Sequence, residues 1–256
     1  MAKSQVFDIY AHEYDLITNA AAREQYHSKE IKALIYRFHP NHVLDAGCAS
    51  GLTSILFARQ GIKTVGLDRS RKMLEQAKAK ARKIKDVEGI ELPLTFRFGT
   101  FENLPQNMNG KFDLIVCLAN SVSGVRTKAD LHRVMKNFSR VLKPGGVLVI
   151  QTLNYASIKE GEFFPIKATS NDGIVWLRYS RRKGSRLEVH VVRLDTTDPA
   201  VKFEPFVNEF DNYSVDVVER TVQSARLEKI RKYGDLYLSK RFGKKSRDLV
   251  LTAVKP

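Results

Sequence analysis

At 256 residues and 43% hydrophobic content, the chain is long enough for a sizeable core, and fits one α/β domain with an elaboration. Its strongest apolar runs, such as 114–119 and 147–150, are far too short to cross a bilayer, and no apolar segment follows a basic start, so no membrane partner is expected. Two cysteines, Cys48 and Cys117, supply neither a disulfide framework nor metal-ligand spacing, which excludes a stapled secreted scaffold and points to a reducing, cytoplasmic setting without a metal.

The net charge of +15 is the one unusual bulk property, with basic residues gathered in 71–85, 178–186 and 226–247. Such clusters read either as a nucleic-acid footprint or as solvated helix faces. In 71–85 the apolar residues Met73, Ala77, Ala81 and Ile84 form a single stripe, as in an ordinary sheet-covering helix, so a nucleic-acid partner is possible but not favoured.

In chain order, residues 1–22 carry the aromatic segment FDIYAHEYD, with Phe7, Tyr10, Tyr14 and Asp15. Read from its residues it is a helix that packs its aromatics on the core. Ile31, Leu34, Ile35 and Phe38 mark an amphipathic helix over 23–38, which Pro40 and Asn41 end. Residues 43–51, VLDAGCASG, then read as a strand, a tight turn and a helix start. Gly47 there admits close approach of a ligand, and Gly51 admits close helix–strand packing. A second strand, 63–68, ends in Asp68, 17 residues after Gly51, where a carboxylate is placed to accept ribose hydroxyls.

A third strand over 93–98 runs into Gly99-Thr100-Phe101, and a fourth, 112–118, ends at Ala119-Asn120-Ser121. Ligands of open α/β sheets bind beyond the carboxyl ends of the strands, so Asn120 and Ser121 face the expected site. Thr127 to Asp130 is a capping box, and Lys143-Pro144-Gly145-Gly146 turns into a fifth strand, 147–151. Residues 154–212 break the strand–helix alternation. Strands are expected at 176–180 and 187–194, with turns at Lys183-Gly184 and Thr197-Asp198-Pro199. A helix over 215–224 and strands over 227–233 and 249–254 finish the chain. The expected organisation is one domain over 1–256, comprising a lid and helix (1–40), a core (41–153), a β-rich acceptor lid (154–212) and a final helix with strands (213–256).

The pieces VLDAGCASG, GLDRSRKML, FGTFENLP, FDLIVCLANS and RVLKPGGVLVI follow one another over roughly residues 43–150. In that order and spacing the chain resembles the class I S-adenosylmethionine-dependent methyltransferases. The resemblance implies a Rossmann-like seven-stranded sheet with helices on both faces and its last strand antiparallel, with a small antiparallel β insertion after strand 5. It also implies S-adenosylmethionine as cofactor, S-adenosylhomocysteine as product, and a lid over the cofactor formed by FDIYAHEYD. The implied cofactor residues are Tyr14, Arg23, Asp45, Gly47, Cys48, Gly51, Asp68, Arg69, Thr100, Phe101 and Leu118.

Within that superfamily the chain is most similar to the small-molecule branch that includes glycine N-methyltransferase, through Arg23 at its distance before Asp45, CLANS, PGGVLVIQTLNY, the β-rich insertion and SRDLVLTA. That branch implies a grip of Arg23 on the cofactor carboxylate and of Asn120 on the acceptor. Tyr155, Trp176 and Tyr179 complete the expected acceptor residues, with Tyr213 a further one, although Trp176, Tyr179 and Tyr213 equally fit a hydrophobic seam. The insertion is expected to govern the acceptor and not the cofactor.

Four positions depart from the family pattern. Thr100 replaces an adenine-binding Asp and Ala49 a glycine, while Leu153 and Gly124 stand where glycine-methylating relatives have Arg and His. Glycine is therefore not the expected acceptor. No catalytic dyad is visible, and His12 and His190 are the histidines that could act as bases. A small N-, O- or C-nucleophile is the leading acceptor. RNA or a ribosomal protein is the alternative, a non-catalytic regulatory subunit is the third reading, and the oligomeric state is open.

Overall fold

The computed structural model describes the backbone of residues 6–184, 186–197, 199–211 and 213–256 and, save at 164–166, their side chains. Seven strands form the main sheet: β1 (His42–Ala46), β2 (Lys63–Asp68), β3 (Leu94–Phe98), β4 (Phe112–Cys117), β5 (Leu142–Leu153), β10 (Glu228–Tyr233) and β11 (Asp248–Val254). Their order is β10-β11-β5-β4-β1-β2-β3, with β11 antiparallel to both neighbours and the other pairs parallel. A sheet of this kind is covered on both faces, which is why its central strands are nearly continuous apolar runs.

The period of two divides each run between two layers. Val43, Leu114, Val116 and Val149 face helices α3 (Ala20–Phe38) and α4 (Leu52–Ala58), meeting Ile31, Leu34 and Phe57. Leu44, Ile115, Cys117 and Ile150 face α6 (Lys128–Val141) and α7 (Val215–Ser224), meeting Val134, Phe138 and Val222. Each such fully buried side chain contributes about 1.5–3 kcal/mol. Helix α5 (Arg71–Glu88) lies against β2 and β3, buries Met73, Leu74 and Ala77, and leaves its lysines other than Lys80 in solvent. Ser70 caps its start by accepting from the Met73 N–H, as Thr127 caps α6 from Asp130. The residues expected to turn into the fifth strand are already inside β5, which begins at Leu142.

A second sheet comprises four antiparallel strands, β6 (Phe163–Asn171), β7 (Ile174–Lys183), β8 (Arg186–Asp195) and β9 (Lys202–Asp211), in that order. Two of them, β6 and β9, were not expected. The expected turn at Thr197-Asp198-Pro199 includes Asp198, which lies outside the described residues. The first helices, α1 (Val6–Ile9) and α2 (Tyr14–Thr18), are wedged between the two sheets, where Val6 and Ile17 join Tyr155, Trp176, Leu187 and Val191 in a third apolar cluster.

Candidate functional site

The N-terminal segment crosses the carboxyl end of the main sheet and is fastened on both sides. Towards the sheet, the Ser50 hydroxyl donates to Asp15 Oδ1 at 2.6 Å, Lys80 pairs with Asp15 Oδ2 at 2.6 Å, and Ser70 donates to Asp8. Towards the insertion, the Tyr10 hydroxyl donates to the Glu204 carboxylate at 2.7 Å, while Glu13 accepts from Trp176 Nε1 at 2.6 Å and pairs with Arg193 at 3.1 Å. Sequence reasoning missed Asp8, Glu13, Ser50 and Ser70. The acidic residues of FDIYAHEYD were the available signal, but their partners lie far along the chain.

Beneath this segment the glycine turn is tightly built. Gly47 has φ +85°, and a Cβ there would stand 2.7 Å from Ser121 Oγ; at Gly51, φ +87°, it would stand 2.9 Å from Ala77 Cβ. The amides of Gly47 and Cys48 donate to the Leu67 carbonyl at 2.8 and 3.0 Å, so the turn bonds to β2 with them and does not hold them free for an anion. Cys48 is buried, and burial raises its thiol pKa well above the ordinary range, which leaves no reactive thiolate. Asp68 accepts from the Ala49 amide at 2.8 Å on Oδ2 and from the Ser70 amide at 2.9 Å on Oδ1. Burial raises the Asp68 pKa, and the two amides oppose the shift.

After β4, Ala119 and Asn120 both take positive φ, +51° and +67°, and the chain then makes a short 3-10 turn, Ser121–Gly124. Asn120 is a hub. Its Oδ1 accepts from Thr152 Oγ1 at 2.6 Å, Ser123 Oγ at 2.9 Å and the Leu153 amide at 3.2 Å, and its Nδ2 donates to the Tyr155 hydroxyl at 2.9 Å. Asn120 and Tyr155 are thus bonded to one another and to β5.

The two expected acceptor aromatics of the insertion are on opposite faces of β7. Trp176 is 1% exposed and points inward, with Tyr10 edge-on at 5.1 Å, as part of the seam under the N-terminal segment. Tyr179 stacks on His190 at 4.7 Å on the outer face, so it does not share a pocket with Trp176. His190 is there with it, His12 is exposed beside Glu13, and neither is brought to the turn. The Tyr213 hydroxyl donates to the Val125 carbonyl at 2.8 Å within the main core.

This chain is similar to known proteins in both sequence and shape. Residues 43–146 match a family described as a methyltransferase domain. A ubiquinone biosynthesis O-methyltransferase of Coxiella burnetii is 32% identical over 113 residues, 44% of each chain. A glycine/sarcosine N-methyltransferase of Parasynechococcus marenigrum is 25% identical over 159 residues, 62% of this chain and 54% of that one. The chain thus spans about half the length of these curated relatives. An S-adenosylmethionine-dependent methyltransferase structure from Clostridium acetobutylicum superposes with a TM-score of 0.77 at 20% identity, over 98% of this chain and 99% of that one. Over residues 43–146 the chain is thus similar to methyltransferase domains, and its fold is that of an S-adenosylmethionine-dependent methyltransferase structure.

The residues at this site fit S-adenosylmethionine. Asp68 stands half-buried at the end of β2, the position at which ribose hydroxyls are held in this topology. Phe101 is half-buried beside Gly47, its ring 5.7 Å from Phe138 and its carbonyl taken by Asn137. Leu118 is buried at the end of β4, Thr100 is half-buried before Phe101, and Arg69 is exposed next to Asp68. Tyr14 lies close enough to Arg23, Arg178 and Asp68 to feel their charges, and burial raises its pKa. Ala49 holds φ +47°, which an alanine adopts at a cost of about 1–2 kcal/mol.

Asp45, at the end of β1, is 2% exposed and accepts from Ser54 Oγ at 2.6 Å. Burial pushes its pKa up to about 7, with the Asp68 charge adding to the rise and Ser54 and Arg23 opposing it. A cationic ligand favours the ionised form, so binding S-adenosylmethionine near pH 6.5 is expected to release a fraction of a proton, and the release should vanish well above pH 7. Calorimetry in buffers of different ionisation enthalpy counts that proton. Asp45→Asn should abolish it, and a wild type that releases none would show that Asp45 stays neutral on binding.

Proposed function

We propose that this protein transfers a methyl group from S-adenosylmethionine to a small-molecule N-, O- or C-nucleophile. The observation that carries the reading is the double fastening of the N-terminal segment, to Ser50 and Ser70 beneath it and to Trp176, Arg193 and Glu204 beside it. A site closed in this way takes an acceptor that fits between two sheets, and an RNA duplex or a folded protein does not. Bound there, the cofactor supplies an electrophilic methyl on a sulfonium, which needs little activation beyond alignment and exclusion of water. Asp68 would hold the ribose, Arg23 the amino-acid end, and the Asn120 network would keep the loop after β4 rigid. Arg23 makes no ion pair among the described residues, as a residue kept for a ligand carboxylate would.

The test is transfer of labelled methyl from the cofactor into a cell extract divided into dialysable, RNA and protein fractions. Label is expected in the dialysable fraction. Entry into RNA, with the steep salt dependence of a polyanion complex, would overturn the reading, and bound cofactor without any transfer would favour the regulatory alternative.

A further inference from the structure

Most cations of the second sheet are paired. Arg181 meets Glu188 at 2.6 Å, Arg186 meets Glu209 at 2.8 Å, and Arg193 is shared among Glu13, Asp195 and Glu204. Lys167 and Arg178 are the exceptions. They stand directly opposite one another on β6 and β7, and neither has a carboxylate partner among the described residues. Like charges in directly opposed positions repel and cost stability. They occupy the inner face, in the row next to Thr169 and Trp176, against the N-terminal segment. Burial lowers the Lys167 pKa, and the charges of Arg178, Arg23 and Arg247 lower it further, so four cations converge on one place.

The polar groups of this face are also unfilled. Arg178 Nε, Thr169 Oγ1, Ser180 Oγ and Asn208 Nδ2 are buried without a hydrogen-bond partner among the described residues. The strand registers put all four on the inner face, Ser180 and Asn208 flanking Val189 in a single row. Buried polar atoms nearly always find a partner, and four vacancies beside an unrelieved pair of cations describe a missing anion. The cofactor brings a single carboxylate, which is assigned to Arg23 above, so Lys167 and Arg178 call for a second anion.

Resting on the methyltransferase reading, the geometry points to an acceptor that is itself an anion, with its carboxylate or phosphate held by Lys167 and Arg178 and its nucleophile directed towards the main sheet. Arg178 suits this role because guanidinium grips such groups with two parallel hydrogen bonds. The sheet would then accept a repelling pair when empty and gain from it when filled.

The test uses the full chain saturated with S-adenosylhomocysteine, so that the cofactor's own carboxylate is already seated. Thermal unfolding is followed against sodium phosphate, sodium acetate and sodium chloride at equal ionic strength. Phosphate or acetate should stabilise the protein beyond chloride, the stronger of the two naming the group. Arg178→Gln and Lys167→Gln should each weaken that effect by about 10-fold or more, while raising the melting temperature of the anion-free protein. A structural role for the pair would give the opposite sign in the anion-free protein. Equal responses to all three salts, or variants that keep wild-type anion affinity, would overturn the proposal. So would an anion effect that disappears once S-adenosylhomocysteine is bound, which would assign the cations to the cofactor. Failure of S-adenosylhomocysteine to bind at all is read separately, before any anion is added, and would overturn the underlying methyltransferase reading.

Discussion

Trp176→Ala is expected to destabilise the protein by about 3–5 kcal/mol, the range for truncating a fully buried large aromatic. For a chain of this size that is a fall in melting temperature of about 6–20 °C. Trp176 packs on Tyr10, Val6 and Ile17 and donates to Glu13, so its loss loosens the N-terminal segment as well as the second sheet. That coupling puts to the test the expectation that the insertion governs the acceptor and not the cofactor. Tyr14 and Asp15 ride on the same segment above Asp68 and Ser50, so cofactor affinity should fall with it. Trp176→Phe should recover most of the stability. A loss below about 1 kcal/mol for the alanine variant, well under the usual cost of such a cavity, would show that the seam is not a shared core.

Gly47→Val is the second large effect. At φ +85° a β-branched residue is strained, and its Cβ would press on Ser121 Oγ at 2.7 Å, Ser121 Cβ at 2.8 Å and the Phe101 ring at 3.2 Å. The strain and the displaced loop together cost about 2–4 kcal/mol. Denaturant titration should report that loss, and cofactor binding should be abolished in whatever remains folded. Wild-type stability in this variant would mean that the turn relaxes freely.

Much of the main sheet was legible because its strands are buried on both faces and therefore written as continuous apolar runs, as in Leu114-Ile115-Val116-Cys117. Caps were legible where the side chains are local, as at Thr127 and Asp130. Strands β6 and β9 were missed because each contains a proline, Pro165 and Pro205, which argues against a strand. Both are edge strands, the one place where the missing N–H does no harm. The pairing of Trp176 with Tyr179 overlooked the period of two, which sends residues three apart to opposite faces.

The candidate site was legible where it depends on spacing and obscure where it depends on distant partners. Asp68 and the glycine turn are local signals. The hydrogen-bond network of Asn120 is not, because Thr152, Leu153 and Tyr155 come from the far end of β5 and just beyond it. Nor are the unpaired cations of the inner face, since the sequence shows a basic cluster over 178–186 in which Arg178 looks no different from Arg181. Only the register of β6 on β7 separates a paired arginine from one facing a lysine.

Calorimetric titration of S-adenosylhomocysteine tests most directly whether Asp68 holds the cofactor's ribose. Asp68→Ala removes two charge-assisted hydrogen bonds in a partly buried site, about 1.5–3 kcal/mol, so affinity should fall by roughly 10- to 100-fold. Asp68→Asn keeps one acceptor oxygen for the backbone amides and separates loss of charge from loss of the turn. Circular dichroism should confirm that both variants are folded. Affinity that is unchanged in folded Asp68→Ala would place the cofactor elsewhere and contradict the account.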